Sequence, residues 1–141
     1  MIHRPDAASA RSLLFVYGTL RRGFELHHHL VRLGAKCRGR GKVAGELFDR
    51  GRYPGGRASL RKGTWIRGEM YELPTPEYDF RVLDRIEGFN PCAPVPREFA
   101  RELTIVSMES RETRRAWIYW LNRPVPRGRR IASGDYLNRR L

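Results

Sequence analysis

The chain predicts a small α+β fold: a curled, mixed but mostly antiparallel, barrel-like β-sheet with short helices. Three observations carry this. Several short stretches alternate apolar and polar residues with the period of two that turns one strand face inward. Nine prolines and fourteen glycines supply closely spaced turns. The connections between expected strands are mostly short, which favours antiparallel neighbours. At 141 residues the chain can build one domain with a real core and is too short for two ordinary ones. Residues 1–12 read as a loose polar arm, and residues 13–141 as the domain.

The first expected strand is Leu13–Val16, four apolar residues in a row, as in a strand buried on both faces. Tyr17-Gly18-Thr19-Leu20-Arg21-Arg22-Gly23 follows as a turn. A strand ending in such a turn aims backbone N–H groups into open space, which suits an anionic group. Residues 24–33 read as a helix, with Leu26, Leu30 and Leu33 on one stripe and Gly34 as its stop. Residues 34–42, rich in Gly and Arg, read as a loop. A strand is expected over 42–48, then turns at 49–51 and 52–56 and a short strand at 58–60. Residues 63–73 make the strongest strand of the first half, with Trp65, Tyr71 and Leu73 on one face. Gly45-Glu46-Leu47-Phe48 and Gly68-Glu69-Met70-Tyr71 share a pattern that fits adjacent strands, with glycines where a neighbour comes close.

Thr75-Pro76-Glu77 reads as a helix start, with Thr as N-cap and Pro at the first helical position. That helix runs to Ile86 or Glu87 and stops at Gly88. Residues 90–96, with three prolines, form a rigid extended loop. A strand is expected over 98–108, with Phe99, Arg101, Leu103 and Ile105 on one face. Residues 111–113 turn the chain into a strand over 114–121, with Trp117, Tyr119 and Leu121 facing one way and Ile118 and Trp120 the other. A basic loop at 124–130 and a turn at 133–136 complete the pass.

Composition excludes several classes. Apolar residues are 40% of the chain and aromatics 11%, as in a folded globule. No apolar run approaches membrane-spanning length, and 13–16 is too short for the core of a signal peptide, so a cytoplasmic protein with no membrane partner is expected. Cys37 and Cys92 lie far apart without a C-x-x-C partner, which fits two reduced thiols better than a disulfide or zinc site. His27, His28 and His29 splay round a helix and cannot converge on one metal. The formal charge is +13, and of 28 Lys and Arg residues only Lys36, Lys42 and Lys62 are lysine. The arginines are scattered from Arg4 to Arg140, which fits a solvated surface better than a nucleic-acid groove. Their field still attracts small anions.

One carboxylate stands out. Phe80, Leu83 and Glu87 fall at i, i+3 and i+7, so Glu87 shares the core-facing stripe of its helix. Desolvation, the negative helix C-terminus and the like charge of Asp84 would all raise its pKa toward neutrality. Such a group can hold and release a proton. The alternative is a structural Glu paired with an arginine such as Arg101.

Tyr17-Gly18-Thr19-Leu20 with Gly23, Tyr53-Pro54-Gly55, Gly68-Glu69-Met70-Tyr71, Leu83-Asp84-x-x-Glu87-Gly88 and Phe99-x-Arg101, in that order, resemble the gamma-glutamylcyclotransferase family in its gamma-glutamylamine cyclotransferase, AIG2-like branch. The resemblance spans residues 13–136. It implies a small mixed barrel with helices, and a reaction in which a γ-glutamyl amide is cut by its own α-amino group to give 5-oxoproline and a free amine or amino acid. It implies no cofactor and no metal. Carried onto this chain, the turn Tyr17, Gly18, Thr19 and Leu20 holds the glutamyl group and Glu87 is the general acid/base. Weaker expectations place Arg21 or Arg22 on the substrate carboxylate, Arg101 on Glu87, and Tyr119 in the pocket. Phe99 stands where the family often has a tyrosine, and the proline-rich loop after Glu87 sets this chain apart.

Overall fold

The computed structural model describes residues 10–51, 53–59, 61–87, 98–122 and 129–138. Seven strands and two helices follow in the order β1 (Leu13–Val16), α1 (His27–Leu33), β2 (Lys36–Asp49), β3 (Pro54–Ala58), β4 (Trp65–Glu72), α2 (Pro76–Ile86), β5 (Phe99–Met108), β6 (Thr113–Leu121) and β7 (Arg130–Ile131), with a 3₁₀ turn at Tyr136–Asn138. Strands β2, β4, β1, β6 and β5 run side by side, and β5 returns to pair with β2, closing a five-stranded barrel. Every pairing is antiparallel except β1 with β6. Strands β3 and β7 add to the C-terminal half of β2, outside the closed ring.

β1 divides the core. Leu13 and Phe15 point into the barrel with Val43, Ile66, Met70, Val106 and Ile118. Leu14 and Val16 point outward, into a second cluster where Leu30 of α1 and Phe80 and Leu83 of α2 cover the sheet. All four β1 residues are buried. The alternation expected in β6 follows the same division: Ile118 and Trp120 face the barrel, and Tyr119 and Leu121 face the outer cluster.

Several boundaries differ from the sequence expectation. The Gly- and Arg-rich segment read as a loop is the first half of β2, held by ladders to β4 on one side and β5 on the other. Glycine is required there: a Cβ on Gly41 would lie 2.8 Å from Val106 Cγ1 and 3.0 Å from the Ser107 carbonyl. The expected turn at 52–56 is largely β3, paired antiparallel with residues 45–49. Pro54 opens that strand, the position a proline tolerates. α1 starts at His27 rather than Phe24, because successive tight turns link Arg21 to Gly18, Phe24 to Arg21 and His27 to Phe24 before the helix begins. It stops as expected at Gly34, in the left-handed conformation with φ of 78°. On β5 the face of Phe99 and Arg101 is covered only at that end; Leu103 and Ile105 are 42% and 62% exposed, and Val106 supplies the barrel core. β7 begins at Arg130, the last residue of the segment read as basic loop. The proline-rich 90–96, Gly88, Cys92, Arg52, Leu60, residues 124–128 and most of the arm lie outside the described residues. The arm's last residue is tied in, since the Ser12 carbonyl accepts the Leu73 N–H at 2.8 Å. Among the described residues no helix is long and apolar enough to cross a membrane.

α2 carries the residue of interest at its end. Its N-cap is Thr75, but the Thr hydroxyl makes no cap bond. The buried Asp79 carboxylate accepts the Thr75 N–H instead, at 2.8 Å. Leu83 is fully buried, and the Glu87 N–H donates to its carbonyl at 2.9 Å. The last helical bond therefore sets where Glu87 leaves the helix.

Candidate active site

The end of β1, the end of α2 and the start of β3 enclose a cavity of about 460 Å³. Tyr17, Gly18, Thr19 and Leu20 line it from one side and Ile86 and Glu87 from another, with Tyr53, Pro54, Phe99 and Tyr119 completing much of the wall. The turn and the helix-end carboxyl expected from sequence therefore share one cavity.

The turn is built for donation. Its carbonyls are used: Gly18 accepts from Arg21 N–H at 2.9 Å, and Thr19 from Leu26 N–H at 3.0 Å. Among the described residues, the N–H groups of Gly18, Thr19 and Leu20 meet no acceptor. Neighbouring backbone donors without acceptors suit an anionic group. Gly18 is needed because β3 presses on it; a Cβ there would lie 2.6 Å from Pro54 Cγ.

Tyr17 pins the turn. Its buried hydroxyl donates to the Tyr119 carbonyl at 2.5 Å and accepts the Gly56 N–H at 2.9 Å, tying β1 to β6 and β3. Tyr17→Phe removes both bonds and strands two buried backbone groups. We expect it to lower unfolding free energy by about 1–3 kcal/mol, read as a lower urea midpoint with an unchanged slope.

Glu87 is half-buried and lines the cavity. Burial pushes its pKa up to about 7. Burial likewise raises the phenols of Tyr17 and Tyr119, and the nearby Glu87 charge raises both further.

Three expectations are corrected. Asp84 does not stand as a bare like charge beside Glu87. Its carboxylate takes a two-pronged bond from Arg101, at 2.7 and 3.1 Å, and the Tyr119 hydroxyl at 2.6 Å. Arg101 accordingly serves Asp84 rather than Glu87; its guanidinium lies 4.3 Å from the Phe80 ring centre and 4.4 Å from that of Trp117. Arg21 is turned away from the cavity. It is 2% exposed, pairs with Glu69 at 3.4 Å and Asp135 at 2.8 Å, and lines a separate cleft. Arg22 is exposed, and its N–H donates to Glu69 at 3.1 Å.

Tyr119 lines the cavity as expected, with its hydroxyl committed to Asp84. The sequence reading gave no role to Glu25, Tyr53 and Glu98, which also line it. Tyr53 lay within a quoted motif, and its hydroxyl donates to Glu98 at 2.7 Å. His27 and His28 bond backbone carbonyls through Nδ1, at 2.9 and 2.8 Å. Cys37 is exposed on β2. Among the described residues no group of three His, Cys, Asp or Glu could hold a metal ion.

Comparison with known proteins agrees with this architecture. The family described as "Gamma-glutamyl cyclotransferase, AIG2-like" matches residues 14–138. The Drosophila melanogaster protein CG2811, whose name assigns it to the gamma-glutamylcyclotransferases, is 34% identical over 116 residues, covering 75% of this chain and 67% of that protein. The Niallia circulans gamma-L-glutamyl-butirosin B gamma-glutamyl cyclotransferase is 33% identical over 111 residues, covering 78% of this chain and 67% of its own length. YkqA from Bacillus subtilis superposes with a TM-score of 0.68 at 29% identity over 89% of this chain, which spans 39% of YkqA. The family match runs from β1 to the final 3₁₀ turn and takes in both walls of the cavity, so the chain belongs to the AIG2-like gamma-glutamyl cyclotransferase family.

Proposed function

We propose that the chain is a cyclotransferase that converts a γ-glutamyl amide into 5-oxoproline and a free amine, with Glu87 as general acid/base. The observation that carries this is the shared cavity: a carboxyl with a pKa near 7 on one wall and the donor turn on the other. The pair suits a zwitterion, with its α-carboxylate on the turn and its α-ammonium toward Glu87. A phosphate would meet repulsion from that carboxylate.

The chemistry balances within one substrate molecule. The α-ammonium has no lone pair, so Glu87 takes one of its protons. The freed nitrogen attacks the γ-carbonyl carbon, a C–N bond forms, and a five-membered ring closes. A remaining turn N–H donates to the oxyanion. Glu87 then gives its proton to the departing nitrogen and the original amide C–N bond breaks; the second proton, shed by the ring nitrogen as it becomes the lactam N–H, passes to the freed carboxylate and leaves with the amine as its ammonium, with no water consumed. An ammonium pKa of about 8 and a carboxyl near 7 are close enough for proton exchange in both directions. Holding the substrate folded adds the gain of an intramolecular reaction, up to about 7–11 kcal/mol for well-placed groups. Arg21 and Arg101 have no place in this scheme; Tyr119 contributes wall and position.

Incubation with a γ-glutamyl alkylamide is expected to release 5-oxoproline and amine in equal amounts. Glutamate in place of 5-oxoproline would show hydrolysis and overturn the reading. Because the base must be ionised, kcat/KM should fall on the acid side with an apparent pKa of about 7. A limb near 4.5, the ordinary glutamate value, would show that the base is not a carboxyl raised by burial.

A further inference from the structure

A second cleft, of about 290 Å³, opens over β2, β4 and β5 and shares no lining residue with the catalytic cavity. The register sets Lys42 of β2 directly opposite Arg67 of β4 on one side and Ser107 of β5 on the other. Directly opposed residues share a sheet face, and Arg40, two residues before Lys42, lies on that face too. All four line the cleft. Like charges set directly opposite one another destabilise a sheet. Here no acid offsets them: among the described residues neither Arg40 nor Arg67 meets a carboxylate, and the Lys42 ammonium stands over the Trp65 ring, 4.3 Å from its centre. Two carboxylates also line the cleft. Asp135 is already engaged, since its Oδ1 accepts Arg21 Nη1 at 2.8 Å and the Leu137 N–H at 2.9 Å. Glu109 is exposed and stands alone against three cations. Arg21 adds an independent sign. It is 2% exposed, and its Nε and Nη1 hold Glu69 and Asp135, yet its Nη2 meets no acceptor among the described residues.

We infer that this cleft is a second binding site, separate from the catalytic cavity, for the phosphoryl group of a small molecule. The surplus of positive charge left by Arg40, Lys42 and Arg67 over Glu109 is what a phosphoryl dianion offsets. A guanidinium fork bonds two oxygens of one phosphate at once, and the Lys42 ammonium adds a point charge. The Ser107 hydroxyl, without a partner among the described residues, and Arg21 Nη2 bring two further donors. A single carboxylate has too few acceptor positions and too little charge to use this set. The opposed Lys42 and Arg67 are then a cost to the empty sheet that the bound anion removes.

Calorimetric titration of the whole protein with inorganic pyrophosphate at pH 8 should give one site per chain. Arg40→Gln and Arg67→Gln should each raise Kd by about tenfold or more, while Arg61→Gln, at an exposed arginine outside the cleft, should leave it within about twofold. Stability supplies a second readout. Without the anion, Arg67→Gln removes one of the two opposed cations and should raise the urea midpoint; with saturating pyrophosphate the wild type should become the more stable of the two. Equal weakening in all three variants would show diffuse attraction to the +13 chain and overturn the site. Tighter binding in Glu87→Gln would put the anion beside the donor turn, where losing a carboxylate helps it, and would overturn the assignment to this cleft. A lower midpoint for Arg67→Gln without the anion would show that its charge is already compensated, against the proposal. Citrate bound more tightly than pyrophosphate would overturn the phosphoryl assignment.

Discussion

Glu87→Gln is expected to remove turnover while leaving the barrel folded and, at alkaline pH, more stable. A positioned general acid/base contributes about 10²–10⁴-fold, and one carboxyl here serves both proton transfers, so kcat/KM should fall toward the upper end of that range. The stability effect has the opposite sign. In the unfolded chain the carboxyl titrates near 4.5 and in the folded protein near 7. Between those values the native state retains a proton that the unfolded state has lost. The Glu87 contribution to wild-type stability is therefore greatest below about 4.5, declines as pH rises through this window, and levels off above about 7. The full penalty is about 3 kcal/mol. Glutamine has nothing to ionise, so the variant should exceed the wild type by about that amount at pH 8 and match it near pH 4. Urea denaturation at both pH values, beside a 5-oxoproline assay, checks the two halves. Equal stability at pH 8 would show that the carboxyl is not buried at a cost; retained turnover would show that it is not the base.

The second large effect lies one strand away. In Gly68→Ala, the new Cβ would lie 2.2 Å from the Val16 carbonyl oxygen and 2.7 Å from the Phe15 ring. The first contact is with backbone and cannot be relieved by a side-chain rotation. β1 and β4 pair through Phe15 with Met70 and Val16 with Glu69, so the strands must part where they are most tightly laddered. Alanine normally gains up to about 1 kcal/mol over glycine in a strand. Here overpacking outweighs that gain, and the expected cost is about 3 kcal/mol or more. Val16 directly precedes the donor turn, so activity at a temperature where the variant remains folded should fall more than its folded fraction does. A variant with wild-type midpoint and turnover would show that the strands part without cost.

Periodicity found faces reliably and partners poorly. The Phe80, Leu83, Glu87 spacing placed a carboxyl on the buried stripe, and the four apolar residues of β1 read correctly as a strand buried on both sides. Neither pattern indicates which arginine meets which acid. Arg101 sits on the sheet across from α2, where one helical turn separates Asp84 from Glu87, and stacking between Phe80 and Trp117 directs it to Asp84. Arg21 and Arg22 are neighbours in sequence, yet one is buried in ion pairs and the other exposed. Composition misled at residues 36–41 and 54–56. Glycine and proline normally break strands, but here they permit close approach: Gly55 packs against Leu121 and Gly56 against the Tyr17 ring. Glu25 and Glu98 escaped notice because the tertiary fold, not sequence spacing, brings them to the cavity.

The Tyr17–Tyr119 bond joins residues 102 positions apart, and the parallel pairing of Leu14 with Trp117 spans a similar separation. A nascent chain therefore holds both the turn and the carboxyl once Glu87 is made but cannot seal a pocket around them until β6 has formed. Contacts of such long range make folding slow relative to helical proteins of this size. Catalytic competence thus requires β6 in place, and activity regained after dilution from denaturant reports closure of the barrel.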